Sequence, residues 1–415
     1  MKTEILVVGG GAAGMFAAGT AAELGRRVVL VEKNDRLGKK LYITGKGRCN
    51  VTNHCPPEEV LRNVPRNGRF LYSAVYGFPP ADMMALLEGL GCPLKTERGN
   101  RVFPVSDRSA SVIDALRERL RKAHVHTEQA AVTELLVKDG RIAGVRTDKG
   151  GIEAERVILC TGGCSYPLTG SDGSGYDLAR AVGHTIIEPT GSLVPLVENG
   201  GWCARMQGLS LRNVGVRLKN QKGKTVYEDF GELLFTHFGL SGPTILSASA
   251  HRKQGETYTV EIDLKPALDE QKLDARLLRD FEENRNRDLE NTLGALLPRS
   301  MIPVVLERTA IDGRTKCNSV TKEQRRALLQ LLKHFTVEIY GPRPVEEAIV
   351  TSGGVRVSEI DPKTMESKLV PGLYFAGELI DVDAYTGGFN LQIAWSTAWA
   401  AARAAAGVTE PSKRR

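Results

Sequence analysis

Gly9, Gly11 and Gly14 stand at the spacing that lets a backbone close on a phosphate, and Glu32 follows where a carboxylate can meet a ribose. Gly9 permits a tight turn, Gly11 removes the side chain that would hold off a pyrophosphate, and Gly14 lets a helix lie close on a strand. The elements that must position them are legible around them. An apolar strand over Ile5–Val8 enters the turn, a small-residue helix runs from Met15 to Leu24, and a second apolar strand, Val28–Val31, ends on Glu32. In this register the helix N-terminus offers free N–H groups and a positive dipole end to a pyrophosphate, with Ala12 and Ala13 in reach, and Glu32 accepts hydrogen bonds from the ribose. The segment is read as a dinucleotide site.

Two later segments decide between NAD and FAD. Val157-Ile158-Leu159-Cys160-Thr161-Gly162-Gly163 is a buried-type strand running into small residues, with Gly162 and Gly163 as candidate cofactor contacts. Gly372-Leu373-Tyr374-Phe375-Ala376-Gly377-Glu378 is another, and a strand ending on Gly377 and Glu378 suits the hydroxyls of a ribityl chain. Asp381, Asp383 and Gly387-Gly388 come next, then an Ala/Trp-rich helix from about Asn390 to Ala406. Gly387, Gly388, Asn390 and Leu391 at the helix start would present N–H groups to the flavin edge where negative charge gathers on reduction. A plain NAD dehydrogenase has no use for this C-terminal return. The expected cofactor is FAD.

The stretch from Leu37 to Asn53 follows the ribose-binding strand and holds three glycines and four basic residues. Lys40, Gly47 and Arg48, with Lys33 just before them, are candidates to supply positive charge and backbone N–H groups to the pyrophosphate and ribityl region. Cys49 falls on this loop. A thiol beside lysine and arginine can have a lowered pKa and serve as a proton donor or redox group. The plainer reading is a small residue packed under the flavin, and both stay open.

At 415 residues the chain exceeds one typical core, so two or three domains are expected. The N-terminus is itself the first strand, with Glu4 inside it, and no apolar run approaches the roughly 18 residues a membrane helix requires. Cytoplasmic location and no membrane partner are expected. Seven scattered cysteines complete neither a zinc pattern nor a disulfide framework, so no metal is expected. The net charge of +7 and pI near 9.0 permit an acidic partner without identifying one. Basic residues gather at Arg36–Arg48, at Arg98–Arg108 and in the terminal Ser-Lys-Arg-Arg. That distribution suits a solvated surface with a phosphate site, or an electrostatic footprint for RNA.

The fold class expected is α/β, an interrupted Rossmann-like FAD-binding domain over residues 1–190 and 345–415. A β-barrel-like domain over 191–265 and 336–344 is inserted into it, carrying strands at Leu193–Val197, Leu209–Leu218, Leu233–Phe235, Tyr258–Leu264 and Val337–Ile339. A helical subdomain over 266–335 is inserted in turn, with Leu273, Leu277 and Phe281, then Leu328, Leu331, Leu332 and Phe335, at helical spacing.

Gly38-Lys39-Lys40-Leu41-Tyr42-Ile43-Thr44-Gly45-Lys46-Gly47-Arg48-Cys49-Asn50-Val51-Thr52-Asn53 resembles a signature of the BaiN/RdsA-like flavoprotein family of NAD(P)/FAD-dependent, aminoacetone-oxidase-like enzymes. Leu233-Leu234-Phe235-Thr236-His237-Phe238-Gly239-Leu240-Ser241-Gly242-Pro243 resembles a second, and Pro371–Glu378 continuing to Gly387-Gly388-Phe389-Asn390-Leu391-Gln392 a third. The three span the chain. The resemblance implies an FAD domain with a barrel-like and a helical insertion. One branch of the family resembles reductases of unsaturated 3-oxo bile acids, another enzymes that make dihydrouridine in large-subunit ribosomal RNA.

Both activities act on a C=C bond conjugated to a carbonyl, whose β-carbon is electrophilic. Reduction there needs hydride from flavin, an acid for the α-carbon and donors for the enolate-like oxygen. His237, Cys49, Tyr385 and Arg101 are the candidate acids and donors. His237 comes first because it sits between Phe235 and Gly239 at the start of a Gly-Ser-Gly-Pro turn; a packing role is the alternative. The cluster Gly170–Asp177 resembles a turn of fumarate-reductase-like flavoproteins and lacks the register of a second nucleotide fold. NAD(P)H is therefore expected as a transient electron donor visiting the substrate's face in ping-pong fashion. The primary expectation is reduction of a small apolar enone; the alternatives are dihydrouridine synthesis on ribosomal RNA and a non-catalytic flavin redox sensor.

Overall fold

The computed structural model describes residues 1–253 and 255–408; the terminal basic cluster Ser412–Arg415 lies outside them. The chain forms two compact units, Met1–Ser192 with the segment from Val345 onward, and Leu193–Pro344.

The first unit is built on a seven-stranded sheet in the order His126–Gln129, Val28–Glu32, Lys2–Val8, Gly150–Leu159, Arg141–Thr147, Val132–Lys138, with Leu373–Phe375 also pairing Gly150–Leu159. The strands around Lys2–Val8 are parallel, and their apolar runs are continuous because both faces are covered. Ile5, Leu6, Val7, Val157, Ile158 and Leu159 are all fully buried. Helix Ala12–Glu23 follows the first strand, and helix Phe389–Ala405 packs beside it with Phe16 and Trp395 ring centroids 5.7 Å apart. Both helices are rich in alanine, so they bury most of their circumference and approach each other closely. Gly14 is needed for the helix to sit on the strand, since a Cβ there would lie 1.7 Å from the Gly9 carbonyl oxygen. A two-stranded sheet, Ile186–Ser192 with Val350–Val355, and a three-stranded sheet, Thr52–Asn53, Arg101–Pro104 and Leu94–Glu97, complete this unit.

The second unit is a closed antiparallel barrel in the order Leu196–Glu198, Gly239–Ser241, Thr225–Phe235, Ser210–Asn220, Tyr258–Asp263, Phe335–Pro342. Closure leaves no free sheet edge. Helices Glu270–Glu283 and Lys322–Lys333 lie between the last two strands in sequence. The first is capped by Asp269, which accepts from Lys272 N at 2.8 Å; the second opens with a capping box of Thr321 and Gln324. Leu273, Leu277 and Leu328 share one hydrophobic core with barrel residues Val260, Ile262 and Val337. Among the described residues no helix is long and apolar enough to cross a membrane, and no group of side chains is arranged to hold a metal.

Candidate functional site

The glycine turn of the first unit is held from below. Gly9, with φ +100°, donates its N–H to Val31 O at 2.8 Å, and a Cβ on it would meet Cys160 O at 2.6 Å. Gly10 N donates to Glu32 Oε2 at 2.6 Å, while Asn34 donates its backbone N and Nδ2 to Oε1, each at 2.7 Å. Glu32 is buried and aligned by these bonds, with capacity for a further donor. Helix Ala12–Glu23 has no side-chain cap and no acid in its first turn, and a Cβ on Gly11 would meet nothing within 4 Å. Its first N–H groups lack intrahelical partners, and the side-chain direction at Gly11 is open. That arrangement fits a pyrophosphate. A cavity of about 400 Å³ adjoins Glu32, lined by apolar Leu37, Leu120 and Val125 and by charged side chains, among them Arg36, Arg117 and Glu128.

Past the turn, the structure pairs two residues that the sequence assigned separately to the cofactor. Lys40 Nζ lies 2.6 Å from Glu378 Oε2 and 2.7 Å from Ser165 Oγ. Glu378 Oε1 accepts from Thr351 N at 2.8 Å and from Ser165 Oγ at 3.0 Å. Gly163 lies against the same carboxylate, and Gly377 is placed where a Cβ would come 2.9 Å from Ala13 Cβ. Arg48 turns to Glu97 and Asp107, each at 2.5 Å, and its guanidinium covers the Phe103 ring. Lys33 reaches Asp172 at 2.7 Å. Lys33, Lys40 and Arg48 thus all have internal carboxylate partners.

Gly387 and Gly388, with φ of +125° and +98°, turn the chain into helix Phe389–Ala405. A Cβ on Gly388 would lie 2.3 Å from Thr52 O, so the turn sits directly on that strand. Asn53 Nδ2 donates to Gly387 O at 3.0 Å, and Asn390 closes the loop, accepting from Ala384 N at 2.9 Å and donating to Ala384 O at 2.7 Å and Tyr385 O at 3.3 Å. This helix also lacks a side-chain cap and first-turn acids, so the N–H groups of Phe389, Asn390 and Leu391 have no cap in competition with a ligand.

A strap at residues 63–67, which sequence reading did not single out, crosses this loop. Tyr385 N donates to Asn63 O at 3.0 Å, and Asn67 Nδ2 donates to Asp381 O at 2.7 Å and Oδ2 at 3.0 Å. Arg66 reaches buried Asp383 at 3.5 Å and also bonds Ser352, while Ser192 Oγ donates to Asp383 Oδ2 at 2.6 Å. Burial pushes the Asp381 carboxyl above its ordinary value, against the opposing pull of Arg66.

The candidate proton donors fall in different surroundings. Cys49 is fully buried, with φ +59°, and its N–H donates to Thr44 O at 3.0 Å. Burial pushes its thiol up to about 12, so it stays protonated and nucleophilically quiet. Tyr385 lies on the loop pinned by Asn63 and Asn390. Arg101 is exposed and donates Nε to Arg98 O at 3.1 Å. His237 belongs to the second unit, exposed on a tight turn in which Thr236 N donates to Gly239 O at 2.8 Å, its ring edge-on to Phe238 at 5.0 Å.

The HI0933-like protein Rossmann domain matches residues 3–404. A 3-dehydro-bile acid delta(4,6)-reductase of Clostridium scindens is 31% identical over 410 residues, covering 97% of this chain and 99% of that protein. A ribosomal RNA dihydrouridine synthase of Escherichia coli is 32% identical over 406 residues, covering 97% of this chain and 98% of that protein. Among solved structures, a 3-ketosteroid delta1-dehydrogenase from Sterolibacterium denitrificans shares the fold at a TM-score of 0.51, with 14% identity over 98% of this chain and 99% of that one.

Proposed function

The chain belongs to the HI0933-like family of FAD-dependent oxidoreductases, and from that premise we propose that it uses NAD(P)H to reduce a carbonyl-conjugated C=C bond of a small apolar substrate of the bile-acid or steroid enone type. The observation that supports the flavin part of this reading most is the presence, in one unit, of two uncapped helix N-termini, at Gly11 and at Gly388. One suits the pyrophosphate and the other the pyrimidine edge of a flavin. When bound, FAD supplies the two-electron transfer.

The remaining roles fall to this chain. Gly9, Gly11, Ala12, Ala13 and Gly14 hold the pyrophosphate, and Glu32 the adenosine ribose. The Lys40–Glu378 pair, with Gly162, Gly163 and Gly377, lines the ribityl stretch. Gly387, Gly388, Asn390 and Leu391 hold the flavin edge, while the strap at 63–67 fixes the loop leading into them. His237 is assigned as the acid that protonates the α-carbon, with Tyr385 orienting the substrate. The cofactor domain spans 1–190 and 345–415, the barrel domain 191–265 and 336–344, and the helical part 266–335. The net change is consumption of one NAD(P)H and one proton, with two C–H bonds formed across the former double bond. The reaction is placed in the cytoplasm.

Dihydrouridine formation in ribosomal RNA is the second reading. It is favoured by Arg36, which lies 5.7 Å from the ring of half-exposed Tyr42, a pairing that suits a nucleic-acid surface. Anaerobic incubation of the purified protein and NAD(P)H with a 3-oxo-4-ene bile acid, read by mass spectrometry, tests the first reading through a gain of two hydrogens. Loss of dihydrouridine from the ribosomal RNA of a deletion strain would instead establish the second.

A further inference from the structure

The hydroxyl of Tyr176 is buried and has no hydrogen-bond partner among the described residues, although the residue is only 3% exposed. A buried phenol is ordinarily paired, because desolvating an unpaired hydroxyl is costly. Tyr176 lies in helix Ser174–Ala181, which opens from Gly173, and its phenol feels the charges of Glu378 and Asp381. Those neighbours are engaged elsewhere: Glu378 with Lys40, Ser165 and Thr351, and Asp381 with Asn67. Burial raises the phenol's pKa above its ordinary value, so it is present as a donor.

A second orphan lies along the same seam. Thr161 Oγ1 is also buried without a partner, and a Cβ on Gly175, in the helix that carries Tyr176, would come within 1.8 Å of it. A Cβ on Gly9 would in turn stand 3.1 Å from Thr161 Cα. Both unpaired hydroxyls thus belong to the stretch between the phosphate turn and helix Ser174–Ala181.

We propose that Tyr176 is a cofactor-binding residue whose hydroxyl donates a hydrogen bond to the ribityl stretch of bound FAD. The inference rests on the FAD reading given above.

The test is Tyr176→Phe, which removes the oxygen and keeps the ring. FAD affinity of the apoprotein, measured by flavin fluorescence titration, should fall about tenfold for the loss of one buried hydrogen bond. The melting temperature of the apoprotein should stay within a degree or rise, because no protein hydrogen bond is lost. Tyr258→Phe is the contrast: its hydroxyl is bonded to Glu256 and to Lys253 N, so the apoprotein should lose stability while FAD affinity holds. If Tyr176→Phe binds FAD within twofold of the parent, or if its apoprotein melts several degrees lower, the assignment is wrong. Failure of the parent protein to bind FAD at all would instead overturn the cofactor reading on which it rests.

Discussion

Lys40 Nζ and Glu378 Oε2 stand 2.6 Å apart although 338 positions separate them in sequence, and each side chain is only one-fifth exposed. The pair ties helix Lys39–Gly47, after the ribose-binding strand, to the turn that follows strand Leu373–Phe375. Its charges are matched within the protein, so this part of the site is electrically neutral before any ligand enters. Lys40→Met should strand the carboxylate and Glu378→Gln the ammonium, each lowering stability by about 1–3 kcal/mol, between the ranges for exposed and buried pairs. In the double variant the losses should fall short of additive, which a denaturant-based double-mutant cycle will measure. Strict additivity would mean the two groups do not act as a pair.

Glu32 links the phosphate turn to the ribose site, since one of its oxygens holds Gly10 N and the other Asn34. Glu32→Ala should retain the far-ultraviolet dichroism of the parent while weakening FAD binding by roughly tenfold or more, as charge-assisted hydrogen bonds are lost. The flavin extracted from the parent should be FAD. Recovery of FMN alone, which has neither adenosine nor pyrophosphate, would contradict the role given to this carboxylate.

His184 supplies a pH dependence. Its Nδ1 faces Glu359 at 3.2 Å and its Nε2 faces Ser367 Oγ at 2.8 Å. Ser367 Oγ already accepts from Leu369 N and Val370 N, so its hydrogen points to Nε2, and Nδ1 carries the imidazole's proton. Burial holds the pKa below its ordinary value despite Glu359. The unfolded chain therefore takes up the proton more readily. Stability should be flat above about pH 6.5 and decline as pH falls below it. Urea midpoints from pH 5 to 8 will show this, and His184→Gln should flatten the profile across that interval.

The proton-donor assignment separates His237 from Cys49. His237→Ala should leave flavin reduction by NAD(P)H unchanged and slow reoxidation by the productive acceptor by roughly 10²–10⁴-fold, the usual range for a lost general acid. Cys49→Ala should reoxidise within about twofold of the parent, because the thiol is enclosed in the core and pushed up to about 12. Stopped-flow traces with a bile-acid enone and with a uridine-containing RNA will distinguish them. Equal rates for parent and His237→Ala would remove the histidine from the reaction.

The α/β class, the Rossmann turn and the inserted barrel were legible because their signals are local. Glycine spacing, apolar strand runs and helical periodicity all act within about twenty residues. What escaped was nonlocal or conformationally mixed. The strap at Asn63, Arg66 and Asn67 gains meaning only from Asp381, Asp383 and Tyr385, far along the chain. The pairing of Lys40 with Glu378 was hidden for the same reason, and each was given to the cofactor alone. Strand Thr225–Phe235 showed only its buried end at Leu233–Phe235, since its first residues face solvent without a hydrophobic pattern. Helix Lys39–Gly47 reads as loop in the sequence because of Gly45 and Gly47, and Gly45 and Lys46 do adopt left-handed backbone within it.

The split of the first unit across the chain dictates the order in which it can be made. The edge strand Leu373–Phe375 pairs with Val157–Leu159, and the helix that covers Phe16 begins only at Phe389. As the nascent chain leaves the ribosome, the phosphate turn emerges long before its covering helix. Roughly 150 residues of the barrel unit are synthesised in between, an interval of roughly eight to thirty seconds at about 5–20 residues per second. During that time the apolar face of Ala12–Glu23 has no permanent cover, so the barrel is free to mature while the Rossmann sheet waits. Truncations near the C-terminus should therefore be met by aggregation or chaperone capture of the early sheet, with the barrel already folded.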